Sequence, residues 1–355
     1  MQGKLVMTSV DVHAEGEVGR VLLAGNLQVR GDTMAERLTW CQEHLNDVRM
    51  LLLREPRGHP AMCGVLVMPP VTEHADVSIV ILEQGGFTAM SGANTMCAVT
   101  AILETGALPM TAPRTIVRID TAAGLVEATA RVEGTKVLDV QVRNVPSWAE
   151  RLDIPIEVPG YGTGHADIAF GGQYYVHAPA AALGVDLNGG QAAEVVRAGA
   201  ALLAATRTQV VVSHPTDPNL SGIQLPMLHG PSTTSGVSAR NTVVLPTGTI
   251  EVHRPETWRG VLDRSPGGTG TSARMACLHA RGVLGLDEPF VHESAVGTTF
   301  VGRLHEQVRL HGHDAVVPSI RGRAWITGIT QVVLDPSDPF PRGFTMGDIW
   351  GETSL

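Results

Sequence analysis

The chain has 355 residues, of which 43% are hydrophobic and 17% charged, enough to bury a core in each of about two domains. Its 40 glycines and 22 prolines favour a turn-rich, strand-rich protein over a helical bundle. The formal net charge of −9 and the lack of a basic tract argue against nucleic acid and anionic membranes as partners.

No window of the sequence approaches the roughly 20 apolar residues that a membrane-spanning helix needs. The N-terminal residues also lack the apolar stretch of a secretion signal. Four cysteines lie far apart with no CxxC pair, which is typical of reduced thiols and not of a disulfide framework. We therefore expect a cytoplasmic protein.

The first half of the chain carries clear local signals. Thr33 with Glu36 forms a capping-box signature for a helix over 34–45. A second helix, apolar nearly all round, is predicted to follow Ser91 and to stop at Gly106. Strands are predicted over 4–12, over 76–82 and as hairpins within 115–144.

The second half repeats this plan in outline. Asn188 and Gln191 are predicted to open an Ala-rich helix ending near Ala205, and an apolar helix follows the loop 263–270 and stops at Gly282. Strands are predicted over 208–214, as a pair within 241–253, and over 299–312, 315–320 and 322–334.

Each half thus contains a Gly-rich loop that leads into a short apolar helix: MSGANTMCAVTAILETG at 90–106 and SPGGTGTSARMACLHARG at 265–282. The N-terminus of a helix has unpaired N–H groups and a positive dipole end, so a small anion can bind there. We expect the two helix ends to face one another across a cleft and hold one carboxylate. The alternative is that Gly-rich turns simply precede core helices.

The sequence resembles the proline racemase family, which includes hydroxyproline epimerases and trans-3-hydroxy-L-proline dehydratases. The resemblance rests on HAEGEVGRVLLAG at 13–25, EPRGH at 55–59, MSGANT at 90–95, RNVPS at 143–147, FGGQYYV at 170–176, DRSPGGTGTSARMA at 263–276 and GRAWITGITQVVLDPSDPF at 322–340. It implies an α/β (α+β) fold like that of diaminopimelate epimerase. Two pseudo-symmetric domains would each wrap a curved, mostly antiparallel sheet around a central apolar helix. The domains would be 1–150 with about 322–355, and 151–321.

The family's racemases and epimerases carry one cysteine in each loop, and these two thiols act on opposite faces of the α-carbon. Here the two positions hold Ser91 and Gly267. Because glycine has no acid to offer, inversion by that route is disfavoured, whereas elimination can use one face. The resemblance is strongest to the dehydratases, so we expect a hydro-lyase acting on trans-3-hydroxy-L-proline. The alternatives are a proline or 4-hydroxyproline epimerase that uses a different second acid, and a non-catalytic imino-acid-binding protein.

The resemblance also implies roles for the loop residues. Ser91 would be the base, although serine at a helix start is also the ordinary N-cap. Asp263 would pair with the ring ammonium, or serve only as a turn residue. The groups expected to bind the substrate carboxylate through backbone N–H donors are Gly92, Ala93, Asn94, Gly268 and Thr269.

Other side chains are expected to be structural. Cys63 lies in a Met-Cys-Gly tripeptide at the wrong place in the chain, and Cys97 and Cys277 should pack as small hydrophobes. His311 and His313 lie on a predicted turn without partners at zinc spacing, so we expect no metal site. The resemblance implies no cofactor, a small imino acid as the binding partner, and a possible homodimer.

Overall fold

The computed structural model describes residues 5–23, 27–187, 190–347 and 349–350. The chain divides into two compact units, one formed by Met1–Gln141 with Arg323–Leu355 and the other by Val142–Gly322. The division into folding domains near residue 150 stays a prediction. Parts of several expectations lie outside the described residues, namely those at Lys4, 24–25, Asn188 and 351–355.

The first unit is a sheet with three helices. Its elements are β1 (Leu5–Ala14), β2 (Glu17–Leu23), α1 (Met34–His44), α2 (Asn46–Leu53), β3 (Met62–Met68), β4 (Val77–Glu83), β5 (Gly86–Thr88), α3 (Gly92–Glu104), β6 (Arg114–Thr121), β7 (Gly124–Glu133) and β8 (Lys136–Arg143), the last of which continues into the second unit. Antiparallel pairs join β1 to β2, β3 to β4, β4 to β5 and β6 to β7, whereas β2–β3 and β4–β6 are parallel. The sheet surrounds α3, in which every residue from Gly92 to Leu103 is buried. Burial on all sides explains why this helix has no polar face.

The second unit has the same kind of core. Its elements are β9 (Ser147–Val158), β10 (Gly162–Phe170), β11 (Tyr174–Pro179), α4 (Ala192–Gln209), β12 (Ile223–Gly230), β13 (Ala239–Pro246), β14 (Gly260–Leu262), α5 (Gly268–Ala280), β15 (Phe290–Glu293), β16 (Thr299–Leu310) and β17 (His313–Gly322), with short 3-10 turns at Ala180–Leu183, Pro218–Leu220 and Pro255–Thr257. The last strand, β18 (Ala324–Leu334), returns to the first unit and pairs antiparallel with β1. One buried cluster of the second unit joins α5 to the strands through Ala169, Tyr175, Met227, Val243, Ala273 and Cys277.

The predicted fold class is confirmed: the protein is a strand-rich α/β (α+β) chain in which mostly antiparallel sheets pack around apolar helices. The capping box at Thr33 and Glu36 is present and starts α1 at Met34. The apolar helix after Ser91 ends as predicted, because Gly106 adopts a φ of +75° that stops α3.

One predicted strand and one predicted strand pairing are wrong. Residues 208–209 continue α4, and 210–214 run on without strand pairing, with Val211 82% exposed. The segment 241–253 is not a strand pair either, because β13 pairs with β14 instead. β-branched residues favour a strand only where a neighbouring strand offers partners, and that neighbour is not visible in local sequence.

The long connection between β13 and β14 packs on the second unit's own helix. Trp258 is 5% exposed, and the Arg197 guanidinium of α4 lies 5.5 Å from the centre of its ring. The Trp258 indole N–H donates to the Glu251 carbonyl at 2.9 Å, which ties the loop to itself. The connection between β13 and β14 is therefore an ordered part of this unit.

Candidate functional site

Ser91 stands at the N-terminus of the buried helix α3 and is half-buried. Its Oγ accepts hydrogen bonds from the backbone N–H of Asn94 at 3.4 Å and from the Asn94 side-chain amide at 3.1 Å. The residue is therefore an N-cap, as one of its two sequence interpretations predicted. Two donors on one oxygen also stabilise negative charge there, as does the positive end of the helix dipole. Ser91 is thus both a cap and a hydroxyl in an electropositive environment.

The first turn of α3 is pressed closely against the sheet. Gly92, Ala93 and Asn94 are buried, and their N–H groups belong to the turn that has no acceptor within the helix. A Cβ on Gly19 of β2 would lie 2.8 Å from the Asn94 Oδ1 atom and 3.0 Å from the Cys97 Sγ atom. A side chain at position 19 would therefore displace the first turn of α3.

The loop before α5 holds Asp263 in a fixed orientation. Ser265 donates two hydrogen bonds to Asp263 Oδ1, from its backbone N–H at 2.7 Å and from its hydroxyl at 2.9 Å. The Gly267 N–H in turn donates to Ser265 Oγ at 3.1 Å. Asp263 is 8% exposed and Ser265 is fully buried. The carboxylate is thus a rigid part of the loop, with its second oxygen on the side of Gly267.

Gly267 adopts a backbone conformation that a cysteine would resist. Its φ is +72°, in the left-handed region. A Cβ built there would lie 2.9 Å from Val243 Cγ2, 3.4 Å from Met227 Cε and 3.5 Å from Asp263 Oδ2. A side chain at position 267 would thus contact two apolar side chains and one carboxylate oxygen.

Gly267→Ala is expected to lower the free energy of unfolding by about 2–4 kcal/mol, since the strain of a positive φ adds to overpacking against Val243. Gly282→Ala is the matched control, because Gly282 has a φ of +71° and open space around its Cβ position. It should cost only about 1–2 kcal/mol. Chemical denaturation of both variants measures the difference, and equal losses would show that Val243 does not crowd position 267.

A buried polar network holds the start of α5. The Tyr175 hydroxyl and Thr269 Oγ1 are 2.8 Å apart, and the Gln173 amide donates to the Tyr175 hydroxyl at 3.0 Å. A Cβ on Gly171 would lie 2.2 Å from the Thr269 carbonyl oxygen, so only glycine lets the β10–β11 loop reach this turn. The Asn144 amide donates to the Gly171 carbonyl at 2.8 Å, close to the same turn. The motifs that contain these residues are visible in the sequence, but no local pattern assigned the residues a role.

Thr271 and Ser272 lie within α5 and do not cap it, because the helix already begins at Gly268. Thr271 donates to the Pro266 carbonyl at 3.0 Å and therefore accepts from His292 Nδ1, which is 2.8 Å away. Ser272 donates to the Gly268 carbonyl at 3.0 Å. Both hydroxyls fasten the loop to the first turn of the helix.

The helical cysteines are packed, as predicted. Cys97 and Cys277 are fully buried, and burial raises the pKa of both thiols, that of Cys277 to about 12. Neither thiol supplies a thiolate at neutral pH. Cys63 is also buried, 2.8 Å from a Glu83 carboxylate oxygen.

The other titratable candidates have structural contacts. His13 stacks on Trp325 with ring centres 5.1 Å apart, and Glu15 accepts hydrogen bonds from the backbone N–H and the guanidinium of Arg323. His311 and Gly312 form the turn between β16 and β17. Within the described ranges, no three His, Cys, Asp or Glu residues are grouped so as to hold a metal ion. No helix among the described residues is long and apolar enough to span a membrane.

Two fully buried imidazoles, His177 and His292, and the partly buried His229 lie in the second unit and stay neutral. Burial is the main cause that lowers the pKa of His177 and His292 well below its usual value, and that of His229 to about 3. Neither ring nitrogen of His177 has a hydrogen-bond partner among the described residues. An unfolded histidine binds a proton near pH 6.5.

This arrangement predicts acid lability. Below about pH 6.5 the unfolded state binds more protons than the folded state, so the free energy of unfolding falls as pH falls. His177→Phe should flatten that slope by up to about 1.4 kcal/mol per pH unit. Denaturation between about pH 4 and 7 measures the slope, and replacing the exposed His74 by glutamine is the control. An unchanged slope in His177→Phe would contradict the prediction.

Comparison with known proteins identifies the family. A family model for proline racemase matches residues 9–345. The chain belongs to the proline racemase family. It is 41% identical over 346 residues to a 4-hydroxyproline 2-epimerase of Streptosporangium roseum, with 98% of this chain and all of that protein covered.

Solved structures support the family membership and the fold. The crystal structure of a hydroxyproline epimerase from Agrobacterium vitis, with bound trans-4-hydroxy-L-proline, matches with a TM-score of 0.90 and 35% identity over 99% of this chain and 98% of that one. A PhzF-family phenazine biosynthesis protein from Bacillus anthracis matches with a TM-score of 0.58 at 13% identity over 93% of this chain and all of that one, which shows the shared fold alone. This protein is therefore an enzyme of the proline racemase family.

The expectation of a trans-3-hydroxy-L-proline dehydratase, and with it the hydro-lyase class, is wrong. The full-length relatives at 35–41% identity are named 4-hydroxyproline 2-epimerases, and the solved epimerase binds trans-4-hydroxy-L-proline. The expectation treated the missing thiols at positions 91 and 267 as the loss of two-sided chemistry. The absence of a thiol excludes only thiol chemistry and leaves other acid–base groups possible. The Asp263 carboxylate is adjacent to position 267, where the family's second thiol would lie.

Proposed function

We propose that this protein is a 4-hydroxyproline 2-epimerase. It would remove the proton from C2 of trans-4-hydroxy-L-proline and return a proton to the opposite face, giving cis-4-hydroxy-D-proline. The observation that carries the proposal is the near-complete match to a named 4-hydroxyproline 2-epimerase at 41% identity. The similarity to a solved epimerase with this imino acid bound supports the same substrate class.

The start of α3 and the start of α5 each offer backbone N–H groups that would bind a substrate carboxylate. These donors belong to Gly92, Ala93, Gly268 and Thr269, whose positions in the first turns leave them without intrahelical acceptors, whereas the expected Asn94 N–H donates to Ser91 Oγ instead. A carbanion at C2 is costly beside a full negative charge, so fixed donors on the carboxylate lower the barrier as charge develops. Ala93 can take part, because this contact uses only its backbone.

Ser91 would act as the acid–base group for one face of C2. Removal of the α-proton by its oxygen requires that the hydroxyl first lose its own proton to solvent, and the two Asn94 donors and the helix dipole stabilise the alkoxide that results. In the opposite direction of the reaction the neutral hydroxyl would return the proton to C2. The same hydroxyl thus serves as base in one direction and acid in the other.

Asp263 would be the acid–base group for the other face. Its Oδ2 atom lies 3.5 Å from the place of a Cβ at Gly267, the family's second thiol position. A carboxylate that pairs with the ring ammonium is also held close to C2, because C2 is bonded to that nitrogen. One side chain could therefore hold the nitrogen and exchange the proton at the neighbouring carbon.

Purified protein incubated with trans-4-hydroxy-L-proline in deuterium oxide tests the proposal. We expect chiral chromatography to show cis-4-hydroxy-D-proline with one deuterium at C2. Because the two diastereomers are similar in energy, they should be present in similar amounts at equilibrium. A boiled sample is the control. Thermal stabilisation by hydroxyproline without turnover or deuterium uptake would instead identify a binding protein and refute the epimerase.

A further inference from the structure

The second unit contains a cavity of about 700 Å³ that is separate from the Gly267 loop. It lies among the turn Ala180–Leu183, the end of β12, the middle of α5 and the start of β15. None of its lining residues belongs to the segment 263–272. The cavity is therefore not the carboxylate site at the start of α5.

The walls of this cavity are mostly apolar. Ala180, Val185, Leu284 and Phe290 line it and are each at most 9% exposed. A volume of this size with apolar walls and a few polar groups is usual for a small-molecule site. The ligand must therefore have an apolar body.

Arg274 supplies a positive charge to the cavity. Its Nη1 donates to Asp167 Oδ2 at 3.1 Å, but Arg281 already holds both oxygens of that carboxylate, at 2.7 and 2.6 Å. The Asp167 carboxylate is thus shared by two guanidinium groups, and the Asp153 carboxylate acts on Arg281 alone, so Arg274 has only the shared partner. The Nε and Nη2 atoms of Arg274 have no acceptor among the described residues. These two donors can bind a carboxylate in the planar geometry that guanidinium favours.

His229 is the second polar group of the lining, and it lies close enough to Arg274 for that charge to lower its pKa. Burial and this charge keep the imidazole neutral, so it presents one N–H donor and one acceptor nitrogen. The imidazole can therefore donate to an anion bound by Arg274 without adding charge of its own.

The exposed carboxylates of Asp186 and Glu288 also line this cavity. They disfavour phosphates, nucleotides and other ligands that carry several negative charges, because the lining contains a single Lys or Arg side chain, Arg274, to attract an anion. We propose that this cavity is a second small-molecule site and that it binds a monocarboxylate with an apolar body. The proposal does not depend on the epimerase activity.

Calorimetric titration of the whole protein with benzoate, phenylacetate and inorganic phosphate tests this site. We expect saturable binding of at least one aromatic monocarboxylate and none of phosphate. Arg274→Met should weaken binding by about tenfold or more, because a charge-assisted hydrogen bond is lost. Ala180→Leu should also weaken it, by filling the cavity while leaving every charge in place.

Saturating trans-4-hydroxy-L-proline is the control for location, and benzoate or phenylacetate affinity should be unchanged in its presence. Displacement by hydroxyproline would place the probe in the epimerase site and overturn the proposal. Equal binding by wild type and both variants, absence of saturable binding by wild type, or phosphate binding that depends on Arg274 would each overturn it as well.

Discussion

Ser91→Ala is expected to slow epimerisation of hydroxyproline at saturating substrate by about 10³-fold, within the range that positioned acid–base groups contribute. KM should change little, because the carboxylate is bound by backbone donors that remain in the first turn of α3. Initial rates followed by chiral chromatography measure both effects. Ser91→Cys should retain turnover, since a thiol is a stronger acid than a hydroxyl and fits the same space.

The effect of Ser91 on helix stability must be distinguished from its effect on catalysis. Ser91→Ala removes a side-chain acceptor from α3 and should cost about 1 kcal/mol of stability. Thr33→Ala removes the equivalent acceptor from α1 and should cost a similar amount with turnover unchanged. If Ser91→Ala kept more than about a tenth of the wild-type turnover rate, or if Thr33→Ala lost as much activity, Ser91 would be a cap only.

Asp263→Asn is expected to abolish inversion, with the turnover rate reduced by about 10²–10⁴-fold. Asparagine keeps an oxygen that can accept from the Ser265 N–H and hydroxyl, so the loop should retain its shape. Proton exchange in deuterium oxide then separates the two faces of C2. One epimer should still exchange its α-proton through Ser91 and be recovered with its configuration unchanged, while the other should not exchange.

A purely ammonium-binding role for Asp263 gives a different pattern. Both epimers would then lose exchange together, and KM would rise for both. Ser265→Ala is the matched control, because it removes the hydroxyl between Asp263 and Gly267 but leaves the carboxylate. It should slow turnover less than Asp263→Asn does. Unchanged turnover in Asp263→Asn would remove the carboxylate from the mechanism.

Local signals in the sequence predicted the elements that depend on local contacts. The Thr33–Glu36 capping box is complete within four residues, and the apolar run after Ser91 becomes a helix buried on every side. The strand predicted at 208–214 failed because its β-branched residues find no neighbouring strand. Strand formation depends on distant partners, so a propensity alone could not decide it.

The candidate site was predictable in its positions but not in its chemistry. Ser91, Gly267 and Asp263 were all named from their motifs, and the packing of Cys97 and Cys277 followed from their apolar helices. The sequence did not show that Gly267 has a positive φ or that Val243, 24 positions earlier, touches the place of its missing side chain. Both facts depend on tertiary structure.

The contact at Val243 bears on any attempt to engineer a pair of thiols into this enzyme. Cysteine introduced at position 267 alone would meet both the valine methyl and a backbone geometry suited to glycine. A smaller residue at 243 would have to come first or together with it, so the two substitutions are coupled. A library that varies only position 267 would then find the cysteine variant inactive or unstable, even if a protein with two thiols and a smaller residue at 243 were active.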